Sequence, residues 1–474
     1  MRDEIHFRLG SEDRRLRDID PTMTVLEYLR GPERLCGTKE GCAEGDCGAC
    51  TVVLVDLTGR YQAVNACVLF VPALDGKQLL TVEHLAGADG TLHPVQQAMV
   101  DHHGSQCGFC TPGFVMSLFA LRTEAGGYPG AKPDRVAVNE ALAGNLCRCT
   151  GYRPIVDAAL SVCSGTEVPA AVALPVGDGM LALNHAGKRS FSPRSGDELA
   201  RVLLDHPDAV IVAGGTDVGL WLTKQHKTLP VTVSLDAVAD LARVTETAAT
   251  IQIGAAATYQ DALPVLERHY PDFGAMIRRI GSRQIRNRGT IGGNIANASP
   301  IGDSPPVLLA LDATLVLRQG DVRRSVRLED FFTGYRRTIL QQGEFIERID
   351  VPVPAAGEVF RCYKVSKRFD QDISAVCGAF RLRLEDGIVR DIRIGFGGMA
   401  ATPARPVAVE EALTGRPWTE ATVRSAQNVM DAAFSPLSDI RASAAYRRTV
   451  ARNLLLKCFL ETSQEAVVTR LVPA

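Results

Sequence analysis

Ten residues, Gly41–Cys50, constrain this chain more than any other stretch: they read Gly-Cys-Ala-Glu-Gly-Asp-Cys-Gly-Ala-Cys. Cys42, Cys47 and Cys50 stand at C-x4-C-x2-C spacing, and Cys67 follows downstream. That is the plant-type ligand pattern of a [2Fe–2S] cluster, whose fourth thiolate arrives from further along the chain. Four thiolates must wrap one small rhomb, so the backbone has to curl tightly. Gly41, Gly45 and Gly48 allow the close approach and positive φ that such a curl needs. Their N–H groups are expected to point at the cluster sulfurs and steady their charge.

The surroundings predict a small β-grasp unit ending near Leu85. Ile5, Phe7 and Leu9 alternate with polar residues ahead of a Gly10-Ser11 turn, the pattern of a hairpin. Thr24-Val-Leu-Glu27 reads as a capping box opening a short helix with Leu26 and Leu29 inward. The run Thr51–Val55 and the segment carrying Cys67 supply further strands. Cys36 lies outside the ligand spacing and is expected to be a small buried hydrophobe.

A second cysteine group follows in a helical block. Cys107-Gly-Phe-Cys110 precedes Thr111 and Pro112, an N-cap and first-turn pair. Phe114, Val115, Leu118 and Leu121 then form an apolar stripe. A helix is expected over Asn139–Leu146, running into Cys147-Arg-Cys149, and a last one from Pro154 with Ile155, Ala158, Ala159 and Val162 inward and Cys163 in the core. The C-x2-C and C-x-C pairs can close four ligands around a second metal centre. Zinc also takes four cysteines; the first group has the iron–sulfur spacing, whereas only tandem position favours iron over zinc in the second.

All but three of the thirteen cysteines lie in the first 163 residues, dividing a cysteine-rich front from an ordinary back. No apolar leader is visible at Met1–Glu4, and the run Pro306–Leu317 is too short to span a bilayer and is broken by Asp312. The expectation is a cytoplasmic protein in which cysteines serve metals or redox chemistry rather than disulfides. The net charge of −2 gives no electrostatic ground for a nucleic-acid or membrane partner.

Residues 165–187 read as a linker and 188–354 as an α/β block. Val210–Ala213 is a short strand running into Gly214-Gly-Thr-Asp217 and a helix start at Val218. Such a turn can present main-chain N–H groups to a pyrophosphate. A second glycine turn, Gly289-Thr-Ile-Gly-Gly-Asn294, precedes Asp303. Neither G-x-G-x-x-G nor a P-loop occurs. Residues 355–474 read as a separate α+β domain with paired strands Val376–Leu384 and Ile388–Phe396, helices near Glu420–Ala433 and Ala444–Glu461, and a charged loop Lys367–Asp372.

Together these motifs resemble the molybdenum hydroxylase family, and within it the xanthine dehydrogenases. The resemblance rests on Gly37–Cys42, Asp46–Cys50, Gly104-Ser-Gln-Cys-Gly-Phe-Cys-Thr-Pro-Gly113, Asn145-Leu-Cys-Arg-Cys-Thr-Gly-Tyr-Arg-Pro154, Ala213–Asp217, Thr290–Asn294, Ala298–Asp303 and Phe331–Tyr335. It implies a multidomain α+β architecture. A β-grasp ferredoxin-like domain (1–86) and an all-helical [2Fe–2S] domain (87–164) would lead to a vanillyl-alcohol-oxidase-type FAD-binding α/β domain (188–354) and a C-terminal flavoprotein domain (355–474). By the same resemblance, Cys42, Cys47, Cys50 and Cys67 hold one [2Fe–2S] cluster, and Cys107, Cys110, Cys147 and Cys149 the other. FAD is held by Ile211, Val212, Ala213, Gly214, Gly215, Thr216, Asp217 and Val218, by Thr290, Ile291, Gly292, Gly293 and Asn294, and by Asp303 and Lys364. Ile280 and Ile346 match flavin-lining positions by offset alone. Lys367–Asp372 matches a loop governing nicotinamide access, and Gln106 a position facing the molybdenum cofactor.

The implied activity is electron transfer in xanthine oxidation to NAD+, with no catalytic residue for the hydroxylation on this chain. Because the sequence stops at Ala474, molybdopterin is expected on a large partner subunit, in a heterotetramer of two small and two large chains. The alternatives are the equivalent subunit of an aldehyde or N-heterocycle oxidoreductase, and a zinc-stapled interaction protein without enzymatic activity.

Overall fold

The computed structural model describes residues 1–123, 133–162 and 177–463, together with 467 and 469. The chain divides into two packed units. One comprises Met1–Ala239 with Gly281–Gly289, the other Asp240–Ile280 with Thr290–Ala474. The division runs through the block expected at 188–354.

The first unit opens with a five-stranded sheet in the order Glu12–Leu16, Ile5–Leu9, Gln78–Leu80, Thr51–Val55, Tyr61–Asn65. Ile5–Leu9 runs parallel to Gln78–Leu80, and the other pairs are antiparallel. Ile5, Phe7 and Leu9 are buried while His6 and Arg8 are not, the alternation of a half-covered strand. They pack with Val25, Leu26 and Leu29 of the helix Val25–Arg30. Thr24 and Glu27 form the reciprocal capping box that the sequence predicts. Thr51–Val55 is buried along its whole length. The reason lies on its other face, where Val53 and Val55 meet Met116, Phe119 and Ala120 of the helix Thr111–Thr123. The helical block is thus packed onto the β-grasp sheet. Its helices Pro94–Asp101, Thr111–Thr123, Arg135–Leu142 and Arg153–Val162 share one core built on Phe114, Leu118, Val138, Ile155 and Ala158.

A four-stranded sheet follows in the order Leu181–His185, Lys188–Ser192, Val231–Ser234, Val210–Val212. Its last three strands are parallel. The segment Gly281–Gly289 completes this unit with the short helix Arg283–Arg286, capped by Ser282.

The second unit holds a five-stranded antiparallel sheet, Val244–Glu246, Thr250–Gly254, Phe345–Pro352, Thr314–Gln319 and Val322–Arg327, packed against the helices Tyr259–His269, Pro271–Arg278 and Ser304–Ala310. The apolar run at Pro306–Leu317 turns at Asp312, which has positive φ, and is helix before that point and strand after it. No helix among the described residues is long and apolar enough to cross a membrane. The unit ends in the antiparallel strands Glu358–Val365, Val376–Glu385 and Ile388–Gly397, covered by helices Glu420–Ala433 and Ala444–Thr462.

Four local readings are corrected. Cys36 is exposed, not buried; its carbonyl accepts from Lys39 Nζ (2.5 Å) and Arg30 on a surface loop. The helix expected over Asn139–Leu146 runs Arg135–Leu142, because Asp134 caps it through Ala137 N–H. Its last expected residues leave the helix so that Leu146 can pair with the Cys47 carbonyl. Thr111 lies inside its helix and its hydroxyl bonds Ser105 rather than capping. Leu181–His185, read as linker, is a strand paired with Lys188–Ser192; its alternating Leu181 and Leu183 join the β-grasp core. Cys163 and residues 165–176 of the expected linker lie outside the described residues.

Candidate functional site

The first cysteine quartet assembles. Gly45 and Gly48 take φ of 78° and 68°, and Ala43 also lies in the left-handed region at 53°. These three reversals curl the loop so that the N–H groups of Asp46 and Cys47 both donate to Cys42 Sγ at 3.3 Å. A Cβ on Gly41 would stand 2.7 Å from Cys47 Sγ, so glycine there leaves room for the sulfur. Cys42 is in hydrogen-bonding reach of Cys47 and Cys67, and Cys50 of Cys67. Asn65 adds an amide donor to Cys50 Sγ at 3.8 Å.

Hydrogen bonding from Cys47 and Cys67 lowers the Cys42 thiol, and hydrogen bonding from Cys67 lowers Cys50 against the cost of burial. The donors Cys47 and Cys67 are raised correspondingly. Four cysteine side chains in mutual contact are a donor set that exchanges its protons for metal.

The second quartet assembles in the same pairwise manner, Cys107 with Cys149 and Cys110 with Cys147. Burial first, then the contact with Cys147, pushes Cys110 up to about 12. Cys147 Sγ accepts from the Thr150 N–H at 3.4 Å and hydroxyl at 3.1 Å. The Cys147 N–H donates to the hydroxyl of Tyr152, which sits at φ 71°. Cys107, Cys149 and Gln106 are exposed, as are Phe109, Leu146 and Tyr152 beside them.

Among the described residues, no three His, Cys, Asp or Glu close on one point as the ligands of a single ion do. A [2Fe–2S] rhomb shares four cysteines between two irons, so its ligands do not converge on one point. The donor chemistry and the loop N–H groups fit that cluster.

The two quartets are joined by backbone. Leu146 N–H donates to the Cys47 carbonyl at 3.0 Å. Three glycines allow this approach: a Cβ on Gly48 would stand 2.1 Å from the Gly144 carbonyl oxygen, and one on Gly113 2.2 Å from that of Gly48.

In the first unit the turn Ala213–Asp217 follows its strand as expected, with Gly214 and Gly215 at φ of 81° and 78°. Gly214 leans on the Arg288 carbonyl, where a Cβ would approach to 1.8 Å, and Gly215 and Gly219 lean on Val68, the residue after Cys67. The N–H groups of Gly214, Gly215, Thr216 and Asp217 donate to no acceptor in the described structure, and the two glycines are buried. Buried N–H groups are almost always bonded. A turn that leaves them free fits a phosphate. The neighbouring Asp217 carboxylate accepts from Trp221 Nε1 at 3.2 Å. Ile211, Val212 and Val218 flank the turn at the strand end and helix start.

In the second unit, Thr290 caps the helix Ile291–Ala296 through Gly293 N–H at 2.9 Å. The buried Gly292 N–H has no acceptor in the described structure. Asn294 Oδ1 accepts from Ser304 Oγ at 2.7 Å. Asp303 and Lys364 meet in a buried ion pair at 2.5 Å, with Ser374 Oγ on the other carboxylate oxygen at 2.5 Å. Ile346 is a core residue of the five-stranded sheet and Ile280 is partly buried against the same core. In the loop Lys367–Asp372, Arg279 stacks over the exposed Phe369 ring at 4.3 Å.

Family models match in the order expected. A 2Fe-2S iron-sulfur cluster binding domain covers residues 8–72 and a [2Fe-2S] binding domain 81–160. An FAD binding domain in molybdopterin dehydrogenase covers 186–354, and a CO dehydrogenase flavoprotein C-terminal domain 361–462. The chain belongs to the molybdenum hydroxylase family. It is an iron–sulfur and flavin electron-transfer module of that family. The xanthine dehydrogenase of Emericella nidulans is 33% identical over 95% of this chain, and the xanthine dehydrogenase/oxidase of Gallus gallus 29% identical over 98%. The chain spans 38% and 40% of those two proteins. Among solved structures, carbon monoxide dehydrogenase from Hydrogenophaga pseudoflava is 29% identical with a TM-score of 0.54, the match taking in 56% of this chain and 93% of that one. Quinoline 2-oxidoreductase from Pseudomonas putida 86 is 27% identical with a TM-score of 0.53, over 58% and 96%.

Gln284, Arg288 and Val68, absent from the residues singled out in the sequence, contact the cysteine loops or the Ala213–Asp217 turn. Gln284-Ile-Arg-Asn287, three polar residues in four just before a glycine turn, was the available signal.

Proposed function

We propose that this chain is the electron-transfer part of a xanthine dehydrogenase. Molybdopterin and the purine would be bound on a large partner subunit, two small and two large chains would associate, and NAD+ would be the acceptor. The observation that carries the reading is the assembly of both cysteine quartets in one unit, bonded backbone to backbone through Leu146 and Cys47. When bound, the clusters carry single electrons and FAD exchanges them for two-electron hydride chemistry. The chain's own residues bind and hold. The eight cysteines of the two quartets supply thiolates, Asp46 and Cys47 N–H groups steady Cys42 Sγ, and the free N–H groups of Gly214–Asp217 receive FAD oxygens. Xanthine as substrate is supported by the xanthine dehydrogenase relatives, and NAD+ by the likeness of Lys367–Asp372 to the nicotinamide loop. The exposed Cys107, Phe109, Leu146, Cys149 and Tyr152 suit the helical quartet to the molybdenum side.

A second reading, the same module serving an N-heterocycle oxidoreductase, has support in the likeness to quinoline 2-oxidoreductase. The deciding measurement is the visible spectrum and metal content of anaerobically purified chain, with and without NADH. The expected result is about four irons and one flavin per chain, bleached by NADH. Iron and flavin without bleaching would remove NAD+ from the reading, and a colourless zinc protein would overturn it.

A further inference from the structure

Between the two cysteine quartets lies a buried polar knot contributed by three distant parts of the chain. At its centre is Asn145. Its Nδ2 donates to the Gly48 carbonyl at 3.1 Å and to Thr51 Oγ1 at 3.2 Å, while its Oδ1 accepts from Ser117 Oγ at 2.7 Å. Asn145 precedes Leu146, whose N–H holds the Cys47 carbonyl, and it is two residues from Cys147. The third contributor is Gln284, 1% exposed. Its Nε2 reaches Asn145 Oδ1 at 3.0 Å, Ser117 Oγ at 3.1 Å and Thr51 Oγ1 at 3.3 Å. It lies 139 residues from Asn145 and 233 from Thr51 in sequence.

We propose that Gln284 is a positioning residue for electron transfer between the two clusters, fixing their separation by holding Asn145 against the Gly48–Thr51 strand start. The inference rests on the reading of the two quartets as [2Fe–2S] sites. Three observations carry it. Gln284 Oε1 is buried without a hydrogen-bond partner. A glutamine that leaves its own oxygen unbonded is a poor choice for stability alone, since an apolar side chain of equal volume avoids that cost. What the amide supplies, and a hydrocarbon does not, is a donor that reaches both sides of the junction at once. The fit is also tight: a Cβ on Gly144 would stand 2.1 Å from Gln284 Oε1, so the side chain is wedged beside the same glycine on which Gly48 leans. Finally, the short segment carrying Gln284 grips both sides. Asn287 Nδ2 donates to the Ala63 carbonyl of the β-grasp sheet at 2.8 Å, and Arg286 pairs with Glu140 of the helical block at 3.1 Å. Electron tunnelling falls steeply with distance, so a residue that fixes this spacing sets the rate without touching either cluster.

The test uses the full chain loaded with iron and flavin. Q284M keeps the volume and removes the donor. Two reduced clusters at short range split one another's paramagnetic resonance signals, and the splitting reports their separation directly. The expected result is unchanged iron and flavin content, both cluster signals present, an altered splitting, and a several-fold slower redistribution of an electron between the clusters after flash reduction. N287L breaks the Ala63 bond of the same segment without touching Asn145, and is expected to lower thermal stability and to change the splitting by less than Q284M does. If Q284M does not fold, S117A removes another donor to Asn145 and is expected to change the splitting in the same direction by less. Q284M or S117A with unchanged splitting and redistribution overturns the inference, as does an equal change in N287L. A wild-type chain that binds no iron overturns the functional reading, which is a separate outcome.

Discussion

Replacing Gly214 by alanine strains the Ala213–Asp217 turn in two separable ways. The residue sits at φ 81°, where an L side chain costs roughly 1–2 kcal/mol. Its new Cβ would also stand 1.8 Å from the Arg288 carbonyl oxygen, a backbone atom that cannot swing aside. Relief requires moving one of the two segments, and overpacking of this kind costs about 1–3 kcal/mol more. The sum, about 2–5 kcal/mol, corresponds to a fall in Tm of roughly 5–15 °C for a unit of this size. Gly187 supplies the internal control. It has the same φ of 81° in the same unit, but nothing lies within 4 Å of its Cβ position. G187A should therefore show only the dihedral cost, and the difference between the variants isolates the contact. Calorimetry of both, with flavin and iron counted, is the assay. G214A is expected to lose FAD, because any shift of the turn redirects the free N–H groups of Gly214–Asp217, while keeping its iron. Equal Tm values for the two variants, or full flavin retention in G214A, would refute the reasoning.

The buried Asp236–Arg288 pair gives a pH prediction. Burial alone would raise Asp236, but the charges of Arg288 and Lys77 and the hydrogen bonds from Arg288 and Ser234 outweigh it and hold the carboxyl below its usual range. A depressed folded-state value means the contribution is complete above the unfolded carboxylate range and is lost as pH falls through the folded value. D236N should cost about 3–5 kcal/mol at pH 7, and its gap from wild type in urea unfolding should shrink below about pH 4; a gap that does not change with pH would contradict the assignment. The Asp303–Lys364 pair is buried more deeply, with side-chain exposures of 8% and 2%. D303N and K364M should each destabilise by about 3–5 kcal/mol by stranding the partner, whereas the double variant should lose far less than their sum. Additive losses in the double-mutant cycle would show that the two groups do not depend on each other.

The legible parts of this chain were those encoded locally. C-x4-C-x2-C spacing, a capping box at Thr24–Glu27 and alternation at Ile5–Leu9 all act within a few residues, and the structure realises each. The helix before Cys147 lies four residues earlier than expected because Asp134 caps its start and Leu146 beyond its end is held by a distant carbonyl, that of Cys47. Cys36 was assigned to the interior on residue type alone, and a loop tied down through its backbone carbonyl overrode that tendency. The apolar alternation in Leu181–His185 was present but hidden behind a glycine- and alanine-rich stretch, so a strand was read as linker. The glycines at 48, 113 and 144 are visible in the sequence, but their meaning is not: Gly48 and Gly113 face a backbone from another part of the chain, and Gly144 faces the Gln284 and Ser282 side chains.

Backbone contacts of that kind also form a continuous line through the first unit. Cys147 is bonded through the chain to Leu146, Leu146 N–H meets the Cys47 carbonyl, and Cys47 belongs to the quartet that includes Cys67. Val68, next along, lies directly under Gly215 of the Ala213–Asp217 turn and Gly219 of the helix after it. Apart from the thiol contacts between Cys47 and Cys67, each junction in that line is main chain or a glycine pressed against Val68. Side chains hop rotamers in nanoseconds and can vary a gap by ångströms, whereas packed backbone holds one spacing. A relay whose rate depends steeply on distance gains from that choice at each junction, which accounts for the glycines at 48, 113 and 144 where the β-grasp sheet and the helical block meet. Gln284, which joins the Asn145, Ser117 and Thr51 side chains at the junction of the quartets, is wedged and bonded on three sides, so it acts as part of the frame.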